Sequence, residues 1–304
     1  MEQRAGVQIR IFNCQRRHYH IFCDFVNLPF STYNPDMTLF SAQSFSLSLP
    51  HASTPQAVLV LSRHQRVINF LTTDDEILAV VHPEVGNGPF HVVLARPVDF
   101  SAISPQARGM WQGQRLQVGD AVIDWARARG WNPHLAPRAI SAPSLVVLQE
   151  CAHRSNAFEE RWAGMDSHAV ARMQRGGALL RTGIVDADAA SLNQGLQLLV
   201  GLGPGLTPAG DDYVLGALAR CQIDPSLPGR ELLQARIPYF APKTTRLSRA
   251  WLLYATHGQF DERWHALQHA LAQDDARLIN RACEAILRVG ASSGPQALAG
   301  FLLI

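Results

Sequence analysis

Between residues 201 and 212 the chain reads Gly-Leu-Gly-Pro-Gly-Leu-Thr-Pro-Ala-Gly-Asp-Asp, which joins a pliable backbone to two adjacent carboxylates. Gly203, Gly205 and Gly210 let the main chain come close to a ligand. Thr207 suits a helix N-cap and Pro208 the first helical position, where its missing N–H has no partner to lose. Free amides at such a helix start favour an anion. Asp211 and Asp212 then fall in the first turn, where they suit metal coordination, capture of a substrate amide through its N–H groups, or general-base work. The plain alternative is an interhelical turn whose aspartates complement the helix dipole. Two nucleotide motifs do not fit. A dinucleotide fingerprint needs a preceding strand, yet the helical run Leu-Asn-Gln-Gly-Leu-Gln-Leu-Leu-Val precedes this one, and a phosphate-binding P-loop needs Gly-Lys-Ser/Thr. Pro204 also removes one amide donor.

Three further segments carry candidate groups. Gly290-Ala-Ser-Ser-Gly-Pro-Gln296 opens another helix, and Ser293 with Gln296 fits a capping box. The functional alternative is a second set of donors, Ser292, Ser293 and Gly294, facing the same ligand. In Lys243-Thr-Thr-Arg-Leu-Ser-Arg249, Thr245 and Ser248 can cap a helix or hold a ligand, while Lys243, Arg246 and Arg249 can neutralise an anion. Asn87 and Gly88 complete the set, although a tight loop alone accounts for Gly86-Asn87-Gly88-Pro89. His265 and His269 have metal-like i,i+4 spacing, but no Glu follows His265 and both lie off the apolar stripe of their helix.

These groups must be positioned by two kinds of element. From residue 57 the chain shows short β-branched runs at 57–62, 66–72, 76–82, 90–95, 115–119 and 121–125, which predict an antiparallel sheet or small barrel. After Pro143 the period becomes helical, with helices expected near 144–156, 167–181, 187–200, 208–221, 229–240, 244–257, 260–273, 275–288 and from 294. The fold class is therefore α+β. Three regions follow: an atypical arm over 1–36, a β-rich region over 37–140 and a helical region over 141–304. The arm reads like an over-called start preceding Met37, and the apolar ending Phe301-Leu-Leu-Ile304 like a clipped helix.

Hydrophobic residues at 47% and charged residues at 17% are ordinary for a globular chain. A net charge of +2 and the lack of any Lys/Arg block argue against nucleic acid, and Lys243 is the only lysine. Five scattered cysteines without a CxxC spacing, no membrane-length apolar run and no signal-like start make the cytoplasm the expected compartment.

The run GLGPGLTPAGDD, with TTRLS and GASSG downstream, resembles the AllH-like family. The likeness extends from about Met37 to the end and includes RVINFLTTDDEIL, GNGPF, WLLYATHGQF and ALAGF. The resemblance implies a subunit of oxamate carbamoyltransferase in anaerobic allantoin degradation, where oxalurate and phosphate exchange with oxamate and carbamoyl phosphate. It implies FdrA-like and AllG-like partner subunits and a small anionic metabolite as ligand, without saying which subunit carries the reacting atoms. Family members commonly have His where this chain has Ala291, and Asp where it has Gln296. Two rivals remain: a non-catalytic binding or scaffold subunit, and a hydrolase using Asp211 and Asp212 with Mg²⁺, the only reading that calls for a cofactor.

Overall fold

The computed structural model describes residues 37–162 and 164–304. The N-terminal arm expected over 1–36 lies outside the described residues. Nine strands come first: β1 (Thr38–Ser46), β2 (Gln56–Arg63), β3 (Val67–Thr72), β4 (Ile77–Val81), β5 (His91–Leu94), β6 (Arg108–Gln112), β7 (Arg115–Val118), β8 (Ala121–Asp124) and β9 (Arg129–Trp131). Their order is β5-β4-β3-β2-β6-β7-β8-β1-β9, and β1 pairs back to β5. That last pairing closes eight strands into a barrel. β1 lies against β8 over its first half and against β9 and β5 over its second. Most neighbours are antiparallel, but β1 runs parallel to β8 and β9, and β4 parallel to β5.

The barrel is filled by Val58, Ile68, Phe70, Leu78, Val80, Val92, Trp111 and Leu116. Alternate residues of β4 and β5 point outward, yet they too are buried. Ala79, Val81, Phe90 and Val93 pack beneath Leu247 and Trp251 of the helical half. Burial on both faces explains why ILAVV and HVVL show no polar alternation.

Ten helices follow: α1 (Ala142–His153), α2 (Asn156–Glu159), α3 (Ser167–Val185), α4 (Ala189–Leu199), α5 (Ala209–Ile223), α6 (Arg230–Phe240), α7 (Arg246–Thr256), α8 (Glu262–Ala272), α9 (Ala276–Leu287) and α10 (Ser293–Phe301). Ser141, Asp166, Asp188, Thr245, Asp261 and Asp275 each cap a helix by accepting from an amide of its first turn. Helix α5 is the axis of this half; every residue in it except Leu215 is buried. Helix α10 meets it backbone to backbone. A Cβ on Gly216 would fall 1.7 Å from the Ala297 carbonyl oxygen, and one on Gly300 would fall 1.8 Å from that of Tyr213. Only glycine permits that approach. The observed α+β architecture, a β-barrel followed by helices, is the expected one. Among the described residues, no helix is long and apolar enough to cross a membrane.

The two halves are joined by polar contacts as well as by α7. The Asn87 amide and side-chain N–H₂ both donate to Glu262 Oε2, at 2.8 and 2.7 Å, and Ser44 Oγ donates to Asn87 Oδ1 at 2.7 Å. Gly86 has φ +80°, and a Cβ there would fall 2.0 Å from Glu262 Oε1. Leu135 donates to Gly258 and Phe260 to Pro133, tying the connector to the turn before α8.

Candidate active site

The turn from α4 into α5 bends through Gly201, Gly203 and Gly205, all at positive φ. Gly203 and Gly210 are also required sterically. Added Cβ atoms would fall 2.9 Å from the Ala209 nitrogen and 2.0 Å from the Leu199 carbonyl oxygen. Gly205, by contrast, has open space around it and is demanded only by its backbone angle. Pro208, not Thr207, is the N-cap of α5. The amides of Gly210, Asp211 and Asp212 donate to the carbonyls of Leu202 and Pro208, so they are not free for an anion. The displaced Thr207 hydroxyl lies instead 3.0 Å from Ser293 Oγ.

The start of α10 behaves in the same way. The capping box read from Ser293 and Gln296 does not form. Ser292 is the N-cap and makes no side-chain capping bond, while fully buried Gln296 donates to the Arg161 carbonyl at 2.7 Å. Ser293 is thereby freed to hydrogen-bond the carboxyl of Asp212. Thr207, Ser293, Gly294 and Asp212 line one recess of about 150 Å³, closed by Trp251, Trp264, Asp261 and Arg263 among others. Convergent polar groups meet here in a recess smaller than the roughly 300–1,000 Å³ of sites for drug-sized ligands.

The two aspartates have different surroundings. Asp211 accepts from the Gly201 amide at 2.8 Å through one oxygen and from the Thr244 hydroxyl through the other. It clamps the glycine turn to the segment before α7. Burial raises its pKa, and the bonds from Thr244, Gly201 and Ser248 oppose that rise. Asp212 is 6% exposed, and its Oδ2 has no hydrogen-bond partner. Burial pushes its pKa well above the ordinary 3.8; Ser293 opposes the shift and the charge of Asp211 adds to it. The result is a carboxylic acid that tends to keep its proton, with one oxygen unpartnered beside a cavity.

The other candidates are dispersed. Thr245 caps α7 and donates to the Leu206 carbonyl, steadying the outer edge of the glycine turn. Ser248 is buried beside Asp211. Lys243 lies over the Phe240 ring at 4.6 Å and reaches Gln197 at 3.5 Å, and it does not line the recess. Arg246 and Arg249 pair with Asp75 of the β3–β4 turn at 3.1 and 2.9 Å, beside a separate cleft of about 470 Å³. Asn87 and Gly88 belong to the seam, where Asn87 is engaged by Glu262 and Ser44 and Gly88 packs on the His91 ring. Among the described residues, no group of three or more His, Cys, Asp or Glu is placed to hold a metal ion.

Sequence reasoning missed Thr244, Asp261 and Arg263. The first two are ordinary hydroxyl and capping residues by type. Arg263 had a signal, because a cation in the first turn of a helix opposes the dipole. Outside the recess, Arg263 and Trp251 also line a groove of about 760 Å³ between barrel and helices.

No solved structure matches the chain. Two family models do. Residues 199–304 match the model described as oxamate carbamoyltransferase subunit AllH, and residues 39–130 match the AllH family N-terminal domain. The first begins at the glycine turn and includes both helix starts around the recess; the second covers nearly the whole barrel. This chain belongs to the AllH family.

Proposed function

We propose that this chain supplies the amide-recognising site of an oxamate carbamoyltransferase, working with FdrA-like and AllG-like partner subunits in allantoin breakdown. The observation that supports it best is the buried, unpartnered Oδ2 of Asp212 at the edge of a recess furnished with the Thr207 and Ser293 hydroxyls. In the reaction, a phosphate oxygen attacks the terminal carbamoyl carbon of oxalurate. The bond from that carbon to the oxamate nitrogen breaks, and the nitrogen takes up a proton. Products are carbamoyl phosphate and oxamate.

The side chains suit the needs of that exchange. A neutral Asp212 can accept from an amide N–H and donate its proton to the departing nitrogen, since burial favours the protonated form beforehand. One proton of the Thr207–Ser293 pair bridges the two hydroxyls, and the other can be donated to the oxygen that gains charge as the carbon becomes tetrahedral. Asp211 acts at one remove, by fixing the turn that carries Thr207. The test is carbamoyl phosphate formation by the reconstituted complex. Asp212→Asn should reduce kcat by at least about a hundredfold, the lower range for loss of a positioned acid. Undiminished turnover would remove Asp212 from the mechanism and leave this chain a scaffold.

A further inference from the structure

Helix α8 begins with Asp261 as N-cap and carries Arg263 in its first turn, where the helix dipole disfavours a cation. Arg263 is nevertheless fixed from two sides. Its amide donates to Asp261 Oδ1 at 2.8 Å, and its Nη2 donates to the Val85 carbonyl of the barrel at 2.7 Å. The only ion pair it makes among the described residues is a loose one, with Nη1 3.8 Å from Asp261 Oδ1. A guanidinium has five N–H donors, so several are left without a protein acceptor among the described residues.

Asp261 is the one carboxylate that pairs with that charge among the described residues. Arg263 is the cation common to the recess and the groove. The groove's other arginines, Arg66 and Arg288, are well exposed and paired with Glu84 and Glu284. The buried imidazole of His91 nearby has its pKa lowered to about 4, chiefly by burial, so it is neutral at pH 7. Burial raises the pKa of Asp261, and the charge and amide of Arg263 oppose that rise. Asp212 lines the same recess but makes no ion pair with Arg263. One wall therefore offers a guanidinium fork and another offers an amide-binding acid.

We propose that Arg263 is the carboxylate anchor of this site, so that the recess selects a small acid whose carboxylate is joined directly to an amide carbon, as in oxamate. The inference rests on the proposed function and adds the residue that reads the acid end. The orientation follows from charge. A carboxylate turned toward Asp212 would meet a buried acid, whereas toward Arg263 it can be held by two parallel N–H bonds. Size agrees as well. A recess of about 150 Å³ holds roughly five waters' worth of volume, which suits a ligand of about half a dozen heavy atoms.

The experiment is a calorimetric titration of the full chain with oxamate and with oxamide, its neutral diamide analogue. Wild type should prefer oxamate by about tenfold to a hundredfold, the range for a desolvated charge-assisted pair. Arg263→Gln should bring that ratio close to one while oxamide still binds. Arg263→Lys should keep a reduced preference, because the charge remains and the fork does not. A purely structural role would weaken both ligands together and leave the ratio untouched. A wild-type ratio of one, or a preference that survives Arg263→Gln, overturns the anchor alone. Failure of wild type to bind either compound overturns the proposed function as well. Should the Gln variant not fold, the Lys variant decides, since a ratio equal to that of wild type refutes the fork.

Discussion

Replacing Asp211 and Asp212 by asparagine, one at a time, should affect stability in opposite ways although the two residues are neighbours. Asp211 accepts hydrogen bonds at both oxygens, from the Gly201 amide and the Thr244 hydroxyl. Asparagine keeps one acceptor and presents N–H₂ where the other stood, so the charge-assisted bond to Thr244 is lost. Such a bond contributes about 1.5–3 kcal/mol. At about 2–4 °C per kcal/mol for a large domain, Asp211→Asn should melt roughly 3–12 °C below wild type. Asp212→Asn instead replaces a buried acid by a neutral group of the same shape. Its carboxyl titrates above the ordinary 3.8 in the folded state. The stability that this shift contributes is complete below 3.8 and disappears as pH rises through the folded value. Asparagine has no such dependence, so the variant should gain on wild type as pH rises through that window. Asp211 has a shift of the same sign, but it persists in the Asp212 variant and cancels in the difference. Calorimetric unfolding of the three proteins across a pH series reads both effects. If the gap between Asp212→Asn and wild type is constant with pH, or matches the loss in Asp211→Asn, the picture of a retained buried proton is wrong.

Gly300→Ala would push a methyl to 1.8 Å from the Tyr213 carbonyl oxygen, and overpacking of that kind costs about 1–3 kcal/mol or more. A melting point unchanged by calorimetry would contradict the backbone contact between α5 and α10. Asn87→Ala removes the side-chain bonds to Ser44 and Glu262 and keeps only the backbone amide bond to Glu262, with an expected loss of about 1–3 kcal/mol. Amide exchange should quicken around residue 87 and at the start of α8, and unaltered exchange would show that the latch carries no load. The His91 ring should titrate near pH 4 by NMR. Its folded pKa lies below the ordinary 6.5, so its contribution to stability is present above 6.5 and is lost as pH falls through about 4. A midpoint close to 6.5 would mean the ring is solvated.

Helix positions were legible because apolar periodicity is a local signal, as along Phe260, Trp264, Leu267 and Leu271. Strands β2, β3, β4, β5, β7 and β8 were legible through their apolar, β-branched runs, whereas β6 (Arg-Gly-Met-Trp-Gln) and β9 (Arg-Gly-Trp) carry no β-branched residue and were not. Strand β1 was not, since its partners β5, β8 and β9 come much later in the chain and its half-exposed sequence carries no strong alternation. For the same reason the parallel pairings were hidden. At the site, residue types identified the glycine turn but could not say which hydroxyl would cap and which would line the recess. The capping-box pattern at Ser293 and Gln296 was overridden because Gln296 is buried against Arg161. Thr207 was likewise displaced from the cap when Pro208 took the position. Neither outcome is encoded locally; both depend on how α5 and α10 meet.

Helix α5 is sheathed on nearly every side, and this bears on how the recess can change. An acid mounted on such a rod has no independent motion, because rotating or sliding it would disturb packing along the whole helical half. Adaptation to a different ligand should therefore proceed from the opposite wall, through Asp261 and Arg263 at the start of α8, whose side chains are partly exposed. In hydrogen-exchange terms, α5 would be the slowest segment to open. Chemistry and selectivity would then reside in parts of the molecule that drift at different evolutionary rates.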